Sequence, residues 1–259
     1  MAYRNMVFDF TKCYQRQETN DLAWFDCSGI GGSRLYCSKE AEEKIKDLIR
    51  PNGVSGIHFI DSGDYHYITK FMTDFIKEPF ILILIDHHTD MQDSGIGDLL
   101  SCGNWAKKVL SENPYVQKLV LIGQKQKTLD QPAAFCSDKL IEISYEELKN
   151  LTAQDKIQPL PKHVPVYISI DKDVLSDSYA ITNWDQGEMS LRMLEDVLKV
   201  LVTNYDVIGI DICGDFPEEN NIPKFLHAER VNQQSDEELY RFLQHHLRYR
   251  PSNNITPIV

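Results

Sequence analysis

The stretch Phe80-Ile81-Leu82-Ile83-Leu84-Ile85-Asp86-His87-His88-Thr89-Asp90 decides how the rest of the chain is read. Six consecutive apolar residues, several of them β-branched and preceded by Pro79, spell a strand buried on both faces. Such strands belong to parallel sheets covered by helices on either side. Polar groups follow at once, with Asp86, His88 and Asp90 at two-residue spacing, so alternate side chains share one side of an extended backbone. Carboxylates and an imidazole converging at a strand end repel one another unless a cation sits among them. This mixed oxygen and nitrogen set suits Mn, Zn or Fe better than Ca or Mg.

Working outward, strands and helices alternate along the chain. Met6–Phe10, Gly56–Ile60, Lys118–Gly123, Leu140–Ile143, Val164–Ile170 and Val207–Ile212 read as further strands. Helices are predicted behind Ser38, through Phe75, through Trp105 and Leu110, and behind Ser190. The S-x-x-E spelling at Ser235–Glu238 predicts the start of a last helix carrying Leu239, Phe242, Leu243 and Leu247. Residues 11–37 show little periodicity and read as a functional loop rich in Trp24, Cys27, Arg34 and Cys37. The glycines at 29–32 match no phosphate-loop spelling.

The expected fold is therefore α/β: one domain over 1–259, three-layered, with a mostly parallel sheet of about eight strands. In such sheets ligands sit at the carboxyl ends of the strands. The polar clusters fall there, after strands 56–60, 80–85 and 164–170.

Composition narrows the function. The net charge of −12 disfavours nucleic acid, which needs clustered Lys and Arg. No apolar run approaches the ~20 residues of a membrane helix, and the first residues lack a signal-peptide core. None of the six cysteines forms a CxxC pair, so free thiols and a cytoplasmic location are expected.

The third cluster, Ser169-Ile170-Asp171-Lys172-Asp173, again places two carboxylates two residues apart. With His66 it brings the inventory to His66, Asp86, His88, Asp90, Asp171 and Asp173, enough donors for two divalent ions. A paired site of this kind generates hydroxide at neutral pH.

These motifs resemble those of the arginase-like ureohydrolases, the family of arginase, agmatinase and formimidoylglutamase. Asp86-x-His88-x-Asp90 is similar to the family's D-A-H-x-D, and Ser169-x-Asp171-x-Asp173 to its S-x-D-x-D. The segment Ser62–Thr69 resembles G-G-D-H-S-I-T with one extra residue, and Ile208–Ile212 resembles a late strand. The resemblance implies two Mn2+ ions, with Zn2+ or Fe2+ as alternatives. Asp86 and Asp171 would bridge, His66 and Asp90 would complete one ion, and His88 and Asp173 the other. The extra residue leaves His66 or Tyr65 as first ligand, and His66, three before Thr69, is preferred as the better donor. The resemblance also implies homo-oligomers and a small-molecule substrate.

The departures bear on the substrate. Where the family has a proton-shuttling His in an S-H-G-N-like segment, this chain has Ser101-Cys102-Gly103-Asn104. Cys102 is thus a candidate for proton transfer or attack, beside Asp90. Where the family's late D-x-x-E meets a guanidinium, this chain has Asp211-Ile212-Cys213-Gly214, with Asp215 one place off. A guanidinium without a desolvated carboxylate partner binds poorly, which disfavours arginine and agmatine. Asn104, Trp184 and Asp215 are the candidates for substrate contact. The expected activity is hydrolysis of a non-peptide C–N bond (amidine, guanidino or linear amide) by metal-bridging hydroxide. The alternatives are a deacetylase-like single-Zn amide hydrolase and a non-catalytic metal-binding member that binds a metabolite or partner.

Overall fold

The computed structural model describes residues 5–14, 22–93, 97–129, 138–150, 157, 159–217 and 221–247. In chain order the strands are β1 (Asn5–Asp9), β2 (Leu22–Asp26), β3 (Tyr36–Cys37), β4 (Ile57–Phe59), β5 (Phe80–Ile85), β6 (Leu100–Ser101), β7 (Val116–Ile122), β8 (Leu140–Ile143), β9 (Val166–Asp171) and β10 (Val207–Cys213). Eight of them form one sheet in the order β2-β1-β4-β10-β9-β5-β7-β8, every pairing parallel. The short β3 and β6 pair antiparallel apart from it.

Period-two alternation divides β5 between two cores. Ile81, Ile83 and Ile85 pack with Leu194, Leu198 and Leu201 of the helix Leu191–Asn204 and with Leu239 and Leu243 of the helix Ile222–His246. Leu82 and Leu84 pack with Ile45 and Ile49 of the helix Lys39–Ile49, Phe71 of the helix Ile68–Asp74, and Trp105 and Val109 of the helix Trp105–Glu112. Helices thus cover both faces, and all six residues of β5 are buried. Each fully buried Ile or Leu contributes roughly 1.5–3 kcal/mol. Ser38 and Ser190 cap their helices by accepting from the N–H of Ala41 and Met193.

Two expectations are corrected. The segment 11–37 is not all loop: Leu22–Asp26 is the parallel edge strand β2 beside β1. Its residues are only half-buried, so they lack both the alternation and the solid apolar run that mark a strand in sequence. Nor does the last helix begin at Ser235. It runs unbroken from Ile222 to His246, started by Asn221, whose side chain accepts from Lys224 N. The Ser235 hydroxyl instead donates to the Tyr179 carbonyl. Among the described residues no helix is long and apolar enough to cross a membrane. Cys13, Cys27, Cys37, Cys102 and Cys213 are free thiols; Cys136 lies outside the described residues.

One consequence of this packing is a built-in acid sensitivity. His58 on β4 is fully buried, with Nε2 bonded to the Val54 carbonyl at 3.0 Å. Burial pulls its pKa down to about 4. The unfolded chain, with a His pKa near ~6.5, binds this proton more readily, so stability is lost as pH falls through 6.5 towards 4. A His58→Gln variant should lose about 3 kcal/mol less between pH 7 and pH 4 than the parent. Urea unfolding of metal-free protein at both pH values checks this, and equal losses would rule it out.

Candidate metal centre

The four central strands β4, β10, β9 and β5 end at one place, and the predicted ligands meet there. His66 follows the single turn Gly63–Tyr65 after β4, Asp86 leaves β5, and Asp171 ends β9. The convergence is not the work of extended backbone. Asp90 has φ +50°, and Asp173 lies in the tight turn Lys172–Val174, its N–H donating to Asp171 Oδ1 at 2.9 Å. Likewise His88 N–H donates to Asp86 Oδ1 at 2.5 Å. Each motif folds back on its own first carboxylate.

His66 Nδ1 faces three carboxylate oxygens: Asp90 Oδ2 at 3.1 Å, Asp86 Oδ2 at 3.3 Å and Asp171 Oδ2 at 3.5 Å. One ring nitrogen carries at most one proton and cannot donate well to all three. Two donors each about 2.1 Å from a shared ion lie about 3.0 Å apart at an octahedral angle and about 3.4 Å apart at a tetrahedral one. The spacings are those of a coordination shell. The other ring nitrogen, Nε2, meets Ser169 Oγ at 2.9 Å, and that hydroxyl donates to Asp211 Oδ1 at 2.6 Å. With the Ser169 hydroxyl donating to Asp211, Nε2–H donates to Ser169, and a cation among the carboxylates would take the place of a proton on Nδ1. Thr69 adds a second hydroxyl to Asp211 at 3.1 Å. Asp90 is fixed by the Trp105 indole N–H.

The second group joins Asp86, His88 and Asp173. His88 Nδ1 lies 2.8 Å from Asp173 Oδ2 and 3.7 Å from Asp86 Oδ1. The His88 carbonyl accepts from Gln124 Nε2 at 2.8 Å. The electrostatics also call for cations. Burial and Asp86 push Asp90 up to about 6; burial, Asp171 and Asp86 drive Asp173 well above its ordinary value. Burial pulls His88 down, yet Asp173 and Asp86 outweigh it and bring it up to about 11. Four carboxylates face two imidazoles, and two divalent ions would balance them with both imidazoles neutral.

His66, and not Tyr65, faces the carboxylates; Tyr65 stacks on Phe10 with ring centroids 4.0 Å apart. Cys102 lies within electrostatic reach of Asp90, Asp64, His66 and Asp171, its thiol pushed up to about 12 by burial and then by Asp90 and Asp64. Asn104 is buried, with Oδ1 accepting from Ser101 N at 2.8 Å and Nδ2 donating to the Leu99 carbonyl at 2.9 Å, so its amide holds the turn entering the helix. Asp215 belongs to neither donor group: it accepts from the fully buried Lys172 Nζ at 2.9 Å, and Lys172 also reaches Asp236 at 2.6 Å. Trp184 stands at the rim, its ring 6.0 Å from that of His88 and its indole N–H on Asp64 Oδ1 at 3.0 Å.

Sequence reasoning missed several participants. Asp64 gathers Trp184, Asn183 Nδ2 at 2.9 Å and Arg34 Nε at 2.9 Å, tying the 30s segment to the rim. Gly214 sits at φ +97°, and a Cβ there would lie 2.4 Å from Asp171 Oδ1. Cys213 Sγ is 3.2 Å from Asp171 Oδ2. The only sequence signal for Cys213 was its same-side spacing from Asp211 on a strand that turned out to adjoin β9.

The fold and the donor set define an α/β protein built around a buried carboxylate–imidazole cluster that could hold metal ions. The sequence profile of the arginase family matches residues 17–221, and the chain belongs to that family. It is 33% identical over 228 residues to an uncharacterised protein of Thermotoga maritima, covering 87% of this chain and 85% of that one. It is 25% identical over 225 residues to an agmatinase of Bacillus cereus, covering 79% and 71% of the two chains. Among solved structures it is similar to the proclavaminate amidino hydrolase of Streptomyces clavuligerus, with TM-score 0.63, 14% identity and coverage of 94% and 92%. Another similar structure is the Mn2+-containing formiminoglutamase of Trypanosoma cruzi, with TM-score 0.56, 16% identity and coverage of 83% and 75%.

Proposed function

We propose that this chain, acting as one domain over 1–259, is a dinuclear metal-dependent hydrolase of a non-peptide C–N bond in a small molecule. The observation that carries the reading is His66 Nδ1 facing three buried carboxylates while Nε2 is bonded to Ser169. Asp86, common to both groups, and Asp171, bonded to the Asp173 N–H, would serve both ions. His66 and Asp90 would complete one, and His88 and Asp173 the other. Mn2+ is the expected metal, with Zn2+ or Fe2+ as alternatives. When bound, the pair supplies an activated water at neutral pH and polarises the scissile carbon.

The protein's own groups do the rest. Trp184, tethered by Asp64 and standing edge-on to His88, would limit how a substrate approaches. Cys102, buried within electrostatic reach of Asp90, would hand a proton from Sγ to the leaving nitrogen. The neighbourhood disfavours a cationic guanidinium: Asp215 is engaged by Lys172, and Gly214 offers no side chain. A neutral amidine or linear amide is therefore preferred over arginine or agmatine.

Metal-stripped protein should be inactive and regain turnover with Mn2+ in a screen of guanidino, amidino, formimino and N-acyl compounds. Metal analysis should find two ions per chain. A single ion per chain in all, as Zn2+, would support the single-ion deacylase reading instead, and loaded protein that turns over nothing in the screen would support a non-catalytic member.

A further inference from the structure

The centre contains a donor beyond the six of the two motifs. Cys213 is the last residue of β10, paired in register with Asp171 on β9 and fully buried. Its Sγ lies 3.2 Å from Asp171 Oδ2. Donor atoms of His66, Asp171 and Cys213 all fall within 4.8 Å of one another, and His66 Nδ1 faces the same Asp171 Oδ2 at 3.5 Å.

The spacing fits shared ligation. With a metal–sulfur distance of about 2.3 Å and a metal–oxygen distance of about 2.1 Å, sulfur and oxygen donors to one ion lie about 3.1 Å apart at a right angle and about 3.6 Å apart at a tetrahedral one. The observed sulfur–oxygen separation lies between these. Nothing bulky separates the thiol from the carboxylate, because the next residue is Gly214, where even a Cβ would press on Asp171.

We propose that Cys213 is a thiolate ligand of the ion on the His66 side, which makes that half of the centre selective for a thiophilic divalent cation such as Zn2+. The inference rests on the metal-centre reading above and deepens it. On metal binding the thiol proton would pass to solvent, and the sulfur would join His66 and Asp171 in holding the ion. Soft sulfur favours Zn2+ over Mn2+, whereas the all-oxygen-and-imidazole half at His88 and Asp173 carries no such bias. The two halves should therefore differ in metal preference.

Titrating metal-free protein with Co2+ tests this by absorption. The wild type should develop a sulfur-to-cobalt charge-transfer band in the near ultraviolet that saturates at one equivalent. Cys213→Ser should still bind Co2+ without the band, and Cys102→Ser should keep it. In competition, Cys213→Ser should lose at least ~10-fold in Zn2+ affinity while its Mn2+ affinity stays nearly unchanged. X-ray absorption of Zn-loaded wild-type protein needs no variant to fold and should show one metal–sulfur distance near ~2.3 Å. Co2+ bound without the band, a band that survives Cys213→Ser, or a Zn shell of oxygen and nitrogen alone overturns the ligand assignment and leaves the metal centre standing. Absence of any bound ion overturns both.

Discussion

Asp171→Ala should abolish turnover and lower the metal content of both halves of the centre. The reason is the number of roles its carboxylate fills. Oδ2 faces His66 Nδ1 at 3.5 Å and the Cys213 thiol at 3.2 Å, while Oδ1 accepts the Asp173 N–H at 2.9 Å. Removing it takes a donor from the His66 side and frees the turn that presents Asp173 to the other. A loss of at least ~10³-fold in turnover is expected, with bound metal falling well below two per chain. The metal-free protein should not be destabilised in proportion, because one of four crowded carboxylates has gone and their repulsion is relieved. Metal analysis together with thermal melts before and after chelation separates these effects. Full occupancy in a folded Asp171→Ala protein would remove Asp171 from the ligand set.

Gly214→Ala should damage both the fold and the metal centre. A Cβ at this position would lie 2.4 Å from Asp171 Oδ1 and 2.8 Å from Lys172 N, and the backbone holds φ +97°. L side chains adopt that conformation at a cost of about 1–3 kcal/mol, before any movement of Asp171 is counted. A total near ~3 kcal/mol would lower the melting temperature by about 6–12 °C in a chain of this size. The displaced carboxylate should cost at least ~10-fold in metal affinity as well. Gly214→Glu therefore should not create agmatine hydrolysis: the added carboxylate has no room beside the ligand it would have to displace. Calorimetry and metal titration of the Ala variant decide the matter, and unchanged values in both would show that the strand end yields freely.

The sheet was legible because its strands are unusually plain. Ile81, Ile83 and Ile85 on one side and Leu82 and Leu84 on the other state that both faces are covered. The edge strand β2 was not legible, because Leu22–Asp26 is half-exposed and takes its register from β1. The ligand identities were visible in the two short motifs; the route by which they converge was not. Period two suggested side chains aligned along extended backbone, whereas hydrogen bonds from His88 N to Asp86 and from Asp173 N to Asp171 fold each motif over. Cys213 and Gly214 drew no weight as neighbours of the ions because β10 is inserted between β4 and β9. That strand order depends on contacts remote in sequence.

Lys172 sits between two ligands yet points away from them, its ammonium clasped by Asp215 and by Asp236 halfway along the helix Ile222–His246. That clasp makes the outermost helix a remote strut for the reaction centre. Peeling it from the sheet would strand a buried cation and slacken the loop that presents Asp173, with every ligand still chemically intact. Carboxyl-terminal trimming or a bulky fusion there would therefore be felt first as poor metal loading, and preparations are best judged by ions per chain as well as by yield.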